Sequence, residues 1–141
     1  MLEALQALLP EPVPVHHLGL FREPTTLQPV EYYNNLPYHR PTSVQPDPHP
    51  IPEIAILLDP VIATGATASA AIQSLLEWGV KKVVLISVLC SEGGVVKAAT
   101  ENGTEGVEVW VGGVDREVDD RGMIMPGLGD VGDRLFLTIG K

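Results

Sequence analysis

The chain has 141 residues, 45% of them hydrophobic and 19% charged, with a mean hydropathy of +0.17, so it can bury a core and is no disordered acidic tail. Nine Lys plus Arg against eighteen Asp plus Glu leave a formal charge of −9 without any basic cluster, which excludes the usual electrostatic mode of nucleic-acid binding. A lone Cys90 excludes an intrachain disulfide framework and a Cys-rich zinc site and fits a reducing cytoplasm, no apolar run approaches the roughly 18 residues of a membrane span, and Met1 to Pro10 has neither a basic start nor a cleavage signal.

Met1 to Leu9 carries Leu2, Leu5, Leu8 and Leu9 at helical spacing and stops at Pro10. Twelve of the thirteen prolines lie at or before Pro60, and thirteen of the fourteen glycines lie after it. Proline removes backbone donors and fixes φ, so residues 1–52 read as a helix, arms and loops within the same domain as an α/β core and tail over 53–141. Val15 to Leu20 and Val30 to Tyr33 are expected to pair as an antiparallel arm around the turn from Arg22 to Pro29. Pro41 to Pro52 is the clearest loop, and an extended one.

From Ile54 the pattern becomes regular. Ile54 to Leu58 is wholly apolar, as in a strand buried on both faces. Thr67 to Trp78 reads as a helix with Ala68, Ile72, Leu75 and Leu76 on one side and Gly79 at its stop. A second buried strand is expected over Lys82 to Leu89, a short helix over Gly94 to Asn102 and a third strand over Val107 to Val111. Strands alternating with helices imply a parallel sheet, whose ligands gather at the carboxyl ends of the strands: here residues 59–67, 90–94 and 112 onward.

Asp59-Pro-Val-Ile-Ala-Thr-Gly-Ala-Thr67 joins the first apolar strand to its helix. Small and hydroxyl residues entering a helix expose backbone N–H groups beside the positive end of its dipole, where they can grip a phosphate. Gly65 permits close approach, and Thr64 and Thr67 add hydroxyls. The alternative is a loop that merely caps the helix. Walker A is excluded, because no Gly-x-x-x-x-Gly-Lys-Ser/Thr occurs. Asp59 either accepts hydrogen bonds from sugar hydroxyls or caps the turn. Gly127-Leu-Gly-Asp-Val-Gly132 matches the dinucleotide fingerprint in form, but Pro126 rather than a strand precedes it and too little chain follows for a helix, a strand and a ribose-binding acid. It is a tight turn, or a loop whose backbone folds around a small flat polar ring.

Other side chains carry less. Cys90 reads as a partly buried structural thiol. His16, His17, His39 and His49 lack metal-ligand spacing, and no metal site is expected. The run from Asp115 to Asp120 reads as a solvated turn, and Asp133 with Arg134 as a local pair.

Leu58-Asp-Pro-Val-Ile-Ala-Thr-Gly-Ala-Thr67 resembles the 5-phosphoribosyl 1-diphosphate (PRPP) loop of the type I phosphoribosyltransferases, and its Asp-Pro start is similar to the uracil phosphoribosyltransferase branch. Leu18 to Arg22 with Leu27 to Asn34 resembles the family's arm, Ile86 to Leu89 follows the loop helix as in the family, and Gly122 to Phe136 resembles its uracil-binding segment. The resemblance implies a phosphoribosyltransferase-type parallel sheet with an antiparallel arm and a C-terminal base-binding loop, and formation of UMP and diphosphate from uracil and PRPP in pyrimidine salvage. It implies that Pro60, Val61, Ile62, Ala63, Thr64, Gly65, Ala66 and Thr67 hold PRPP, with Asp59 on the ribose hydroxyls, Arg22 on the diphosphate and Asp130 approaching from the base side. Asp59 and Asp130 are then the catalytic candidates. Uracil is read around Ile124, Gly129, Asp130 and Val131, the last standing where the family usually has Ala. Magnesium enters with the diphosphate, some relatives answer to GTP, and a cytoplasmic homodimer or higher oligomer is implied. Family members also carry an N-terminal portion that the segment from Met1 does not match, with the first helices, a central strand and an Arg-Ala-Gly-containing loop. The competing expectation is therefore a catalytically impaired, truncated paralogue that binds nucleotides or pairs with a partner.

Overall fold

The apolar runs of the second part of the chain lie side by side and point the same way. In the computed structural model, which describes residues 1–23, 25–26, 28–38 and 50–138, they form an α/β fold around a four-stranded parallel sheet. Its axis is β5 (Lys82–Ser91). On one edge of β5, β3 (Ile54–Leu58) pairs with Lys82 to Ile86, and β4 (Val61–Ile62) continues opposite Leu89 and Cys90. On the other edge, β6 (Val107–Asp115) pairs from Val83 to Ser91. Asp59 and Pro60 break the ladder between β3 and β4, because Pro60 has no N–H to give. Its carbonyl still accepts from Val88 N at 3.1 Å and Leu89 N at 3.3 Å, so the interruption stays attached to β5.

Helix α2 (Ala66–Trp78) returns the chain from β4 to β5, and α3 (Glu92–Thr100) from β5 to β6. Two crossovers of one hand stepping in one direction put both helices on the same face. The core lies there: Ile62, Ala68, Ile72, Leu75, Val83, Leu85, Cys90 and Ala98 are buried together, with Ala55, Leu57, Val109 and Val111 packed against them.

The opposite face is where expectation and structure part. Ile54 to Leu58 forms a strand as read, but it is not buried on both sides: Ile54 is 55% and Ile56 41% exposed. An apolar run records what a strand can bury, whereas coverage depends on a second layer, and both core-packing helices lie on the other face.

The arm forms as expected from β1 (Leu18–Arg22) and β2 (Pro29–Asn34), with a register shift at Gly19/Leu20. It packs on α2, where Ser74 donates to Glu31 at 3.2 Å and Trp78 donates to the Pro37 carbonyl at 2.8 Å. His16, without chemistry in the sequence, meets the Trp78 ring edge-on at 5.9 Å. The N-terminal helix α1 (Leu2–Leu8) forms with the expected limits but buries no residue, so its leucine spacing serves no interior in this chain. Residues 41–49 of the Pro41 to Pro52 loop, His49 among them, lie outside the described residues, as does His39.

After β6 the chain makes a hairpin, β7 (Glu117–Val118) against β8 (Ile124–Met125), then the short helix α4 (Val131–Phe136). The expected solvated turn over Asp115 to Asp120 is thus corrected. Asp115 accepts from Gly127 N at 3.0 Å, and Asp119 accepts from Arg121 N at 2.9 Å and Met123 N at 2.8 Å. These carboxylates hold the glycine-rich segment in shape, which charge counting along the sequence does not reveal. The Asp133–Arg134 pair is likewise replaced: Arg134 donates to the Leu128 carbonyl at 2.7 Å, while Asp133 accepts from Thr138 at 2.5 Å. The tail also finds room for a helix, although a short one. No described helix is long and apolar enough to cross a membrane.

Candidate functional site

The loop after β3 faces the carboxyl end of the sheet, where parallel strands leave their turns open to ligands. Gly65 occupies the N-cap position of α2 at φ +77, and no side-chain hydrogen bond caps that helix. The other strand-following helix, α3, is capped by Ser91, whose hydroxyl accepts from Gly94 N at 2.9 Å, and α4 by Asp130, which accepts from Asp133 N at 2.9 Å. The first-turn amides of α2 have no intrahelical acceptor and no side-chain cap, which is the condition for anion binding at a helix start. Of the two readings of this loop, capping by its own residues is the weaker.

What shapes the loop is a contact that sequence reasoning missed. Ser91 Oγ donates to the Ala63 carbonyl at 2.5 Å while accepting from Gly94 N, so the start of α3 clamps the loop. The packing is tight on both sides. A Cβ on Gly65 would lie 2.4 Å from the Gly94 carbonyl, and one on Gly94 would lie 2.2 Å from the Ala63 carbonyl. The available signal was a serine three residues ahead of a glycine at a strand-to-helix junction, an ordinary N-cap pattern. Ser91→Ala is expected to cost roughly 1–3 kcal/mol, by deleting the cap and leaving the Ala63 carbonyl short of a donor. Thermal melts would show it, and an unchanged Tm would refute the clamp.

Asp59 sits half-buried at the end of β3, accepting from Val61 N at 3.4 Å. Burial pushes its carboxyl above the ordinary aspartate range, and the Val61 amide only partly offsets this. In the pH window between the unfolded value of 3.8 and the raised folded value, the native state binds more protons than the unfolded one. Stability therefore falls as pH rises through that window. Asp59→Asn should melt higher than the parent at pH 7, the difference vanishing once both states are protonated. A lower Tm for the variant at pH 7 would contradict this.

The glycine-rich segment closes over the loop. Val61, Ala63 and Leu89 on one side and Ile124, Gly129 and Val131 on the other line a shared cleft of about 50 Å³. Gly127 and Gly129 take positive φ in a tight turn, and Leu128 and Gly129 of that turn line the cleft. The structure thus joins Val61 and Ala63 of the loop after β3 to Ile124, Gly129 and Val131, which the sequence separates by some sixty residues. Ile62 turns into the core at 2% exposure. Asp130 is exposed, its carboxylate engaged as the α4 cap. Arg22 closes the arm opposite Pro29.

Cys90 is fully buried, more than expected, and its thiol is pushed up by burial and by the charge of Asp115. It is no nucleophile. Among the described residues, no group of three or more His, Cys, Asp or Glu side chains could hold a metal ion.

A family model for uracil phosphoribosyltransferase matches residues 1–138. The chain belongs to the uracil phosphoribosyltransferase family. It is 43% identical over 136 residues to Urg2 of Schizosaccharomyces pombe, covering 96% of this chain and 59% of that one. It is 40% identical over 124 residues to the uracil phosphoribosyltransferase of Roseiflexus castenholzii, covering 88% and 54%. To that of Finegoldia magna it is 41% identical over 138 residues, covering 98% and 60%. Among solved structures, the AQ2163 protein from Aquifex aeolicus superposes with a TM-score of 0.67 at 34% identity, over 86% of this chain and 52% of that one. The chain thus spans somewhat over half the length of these relatives.

Proposed function

We propose that the cleft between the loop and the glycine-rich segment is a phosphoribosyl-transfer site, taking uracil and PRPP to UMP and diphosphate. The observation that carries this reading is the start of α2, which lacks a side-chain cap and follows closely on Ala63, a residue that lines the cleft together with Ile124, Gly129 and Val131, within a chain of this family. The amides from Ala63 to Thr67 hold the 5-phosphate, with the hydroxyls of Thr64 and Thr67 beside them, and Asp59 accepts from the ribose hydroxyls. Arg22 serves the diphosphate as a charge-assisted donor. Uracil lies against Ile124, Gly129 and Val131, its amide edge read by backbone groups, and Asp130 stands at that end.

In the reaction the bond from C1 to the diphosphate oxygen breaks, the bond from C1 to uracil N1 forms, and the N1 proton is taken up by the departing diphosphate. The leaving group departs with its electron pair, so positive charge grows on the ribose, and the protein contributes alignment and electrostatics. Asp59 and Asp130 supply negative charge near that centre. The described residues offer one carboxylate beside the loop and no metal-binding cluster, which suits a magnesium ion carried in by the diphosphate, where it neutralises leaving-group charge. A cytoplasmic homodimer, and a response to GTP, belong to the same reading.

The second reading is a nucleotide-binding module without turnover. Labelled uracil with PRPP and magnesium separates the two. UMP formation is expected; UMP binding without turnover would establish the module instead, and neither would overturn both. Light scattering showing only a 15.1 kDa species would count against the dimer.

A further inference from the structure

We propose that Asp115 is a positioning residue for base recognition: it fixes the glycine-rich wall of the cleft to the same end of the sheet from which Ser91 fixes the opposite wall. The proposal rests on the reading of the cleft as a nucleotide site and adds to it the residue that sets the base side. The register of β5 on β6 pairs Ser91 with Asp115, the last residue of each strand, so their side chains leave the sheet on one face as neighbours. From there they diverge. Ser91 Oγ donates to the Ala63 carbonyl at 2.5 Å, and Asp115 Oδ2 accepts from Gly127 N at 3.0 Å. Ala63 lines the cleft on the loop side, and Leu128 and Gly129, directly after Gly127, line it on the other. Two cross-strand neighbours therefore hold one wall each, and the gap between the walls is set from a single rung of the sheet.

The chemistry of the Asp115 contact suits this task. A carboxylate accepting from a backbone amide is among the stronger neutral-donor hydrogen bonds. Gly127 has φ +54, and a Cβ there would lie 2.0 Å from the Ile124 carbonyl, so its turn packs on the backbone of β8 and moves with it. Asp119 acts differently. It accepts from Arg121 N at 2.9 Å and Met123 N at 2.8 Å, contacts that fold the hairpin on itself without tying it back to β6. The Asp115 bond is the one that runs from the strand end to the turn.

The loop wall has its own fastener in Ser91, so the two halves of a nucleotide meet walls held by separate contacts. Ribose 5-phosphate and UMP share the phosphate and the sugar and differ by the base. The ratio of their affinities therefore isolates what the glycine-rich wall contributes, whether or not the cleft turns over substrate.

The test is calorimetric titration of the full 141-residue chain with each of these two ligands. The parent is expected to bind UMP more tightly. Asp115→Ala should weaken UMP by about tenfold, the worth of one hydrogen bond to a charged group, with ribose 5-phosphate held within about twofold. Asp115→Asn, whose side-chain oxygen still accepts from Gly127 N, should keep the parent affinity for both. Ser91→Ala should give the other pattern, weakening the two ligands by the same factor. A lower Tm, which any lost contact produces, moves none of these ratios. Exchange of the Gly127 amide hydrogen should quicken in Asp115→Ala and stay at the parent rate in Asp115→Asn. If Asp115→Ala does not fold, Asp115→Glu takes its place: it keeps the charge one methylene further out, and the same selective loss of UMP is expected. Equal loss of both ligands in that variant, or loss of neither, would overturn the proposal and leave the nucleotide site standing. A parent that binds neither ligand, or UMP no more tightly than ribose 5-phosphate, would overturn the reading of the cleft and the proposal with it.

Discussion

Ala66→Asp is expected to weaken UMP and phosphate binding by about ten- to a hundredfold while leaving the Tm unchanged or slightly higher. Ala66 is the first residue of α2, directly after the positive-φ Gly65. A carboxylate there sits favourably at the helix's positive end, worth about 0.3–1 kcal/mol to folding. To a bound phosphate the same carboxylate is a like charge in the same field. At an effective dielectric constant near 20 and a separation of about 5 Å, the repulsion is on the order of 3 kcal/mol before salt screening. The two effects have opposite signs, so general damage to the fold cannot imitate the result. Calorimetric titration beside a thermal melt decides it: binding as tight as the parent's means that the α2 amides are not the anion site.

A second large effect is expected from two adjacent glycines that differ only in surroundings. Gly94→Ala places a Cβ 2.2 Å from the Ala63 carbonyl and 2.9 Å from Ser91 Oγ, both parts of the loop clamp. Neither can retreat without giving up the hydrogen bond between Ser91 and Ala63. Overpacking of this kind costs typically 1–3 kcal/mol, and backbone on the receiving side puts it at the upper end. For a chain of this length the Tm should fall by roughly 8–12 °C, with UMP binding lost alongside because Ala63 lines the cleft. Gly93→Ala meets nothing within 4 Å and replaces a poor helix former with a good one, so it should be neutral or raise stability by up to about 1 kcal/mol. Equal melting of the two variants would remove the clamp from the account.

Much of this was legible before any coordinates. Strand runs, helix periodicity and turn residues are local signals, and β3, α2, β5, α3 and β6 form in the order read from them, with ends shifted by a few residues. The loop from Asp59 to Thr67 was legible as a strand-to-helix turn because its small residues and Gly65 lie in one contiguous stretch. The Ser91–Ala63 clamp and the joining of Val61 to Val131 were not. Each depends on two segments distant in sequence, and nothing in either announces its partner. The acids from Asp115 to Asp120 show the same limit: a carboxylate in solvent and one organising a hairpin are spelled alike, and only Gly127, Arg121 and Met123 as donors distinguish them.

By itself the sequence determined the class of fold and the course of the sheet, since these follow from the period of apolar residues and from which turns tolerate small residues. Which faces are covered was settled only in three dimensions. Ile54 and Ile56 have the composition of an interior strand, yet they stand exposed because both crossover helices pack on the other side of the sheet. Burial belongs to a pair of surfaces, and a single run of residues specifies only one of them.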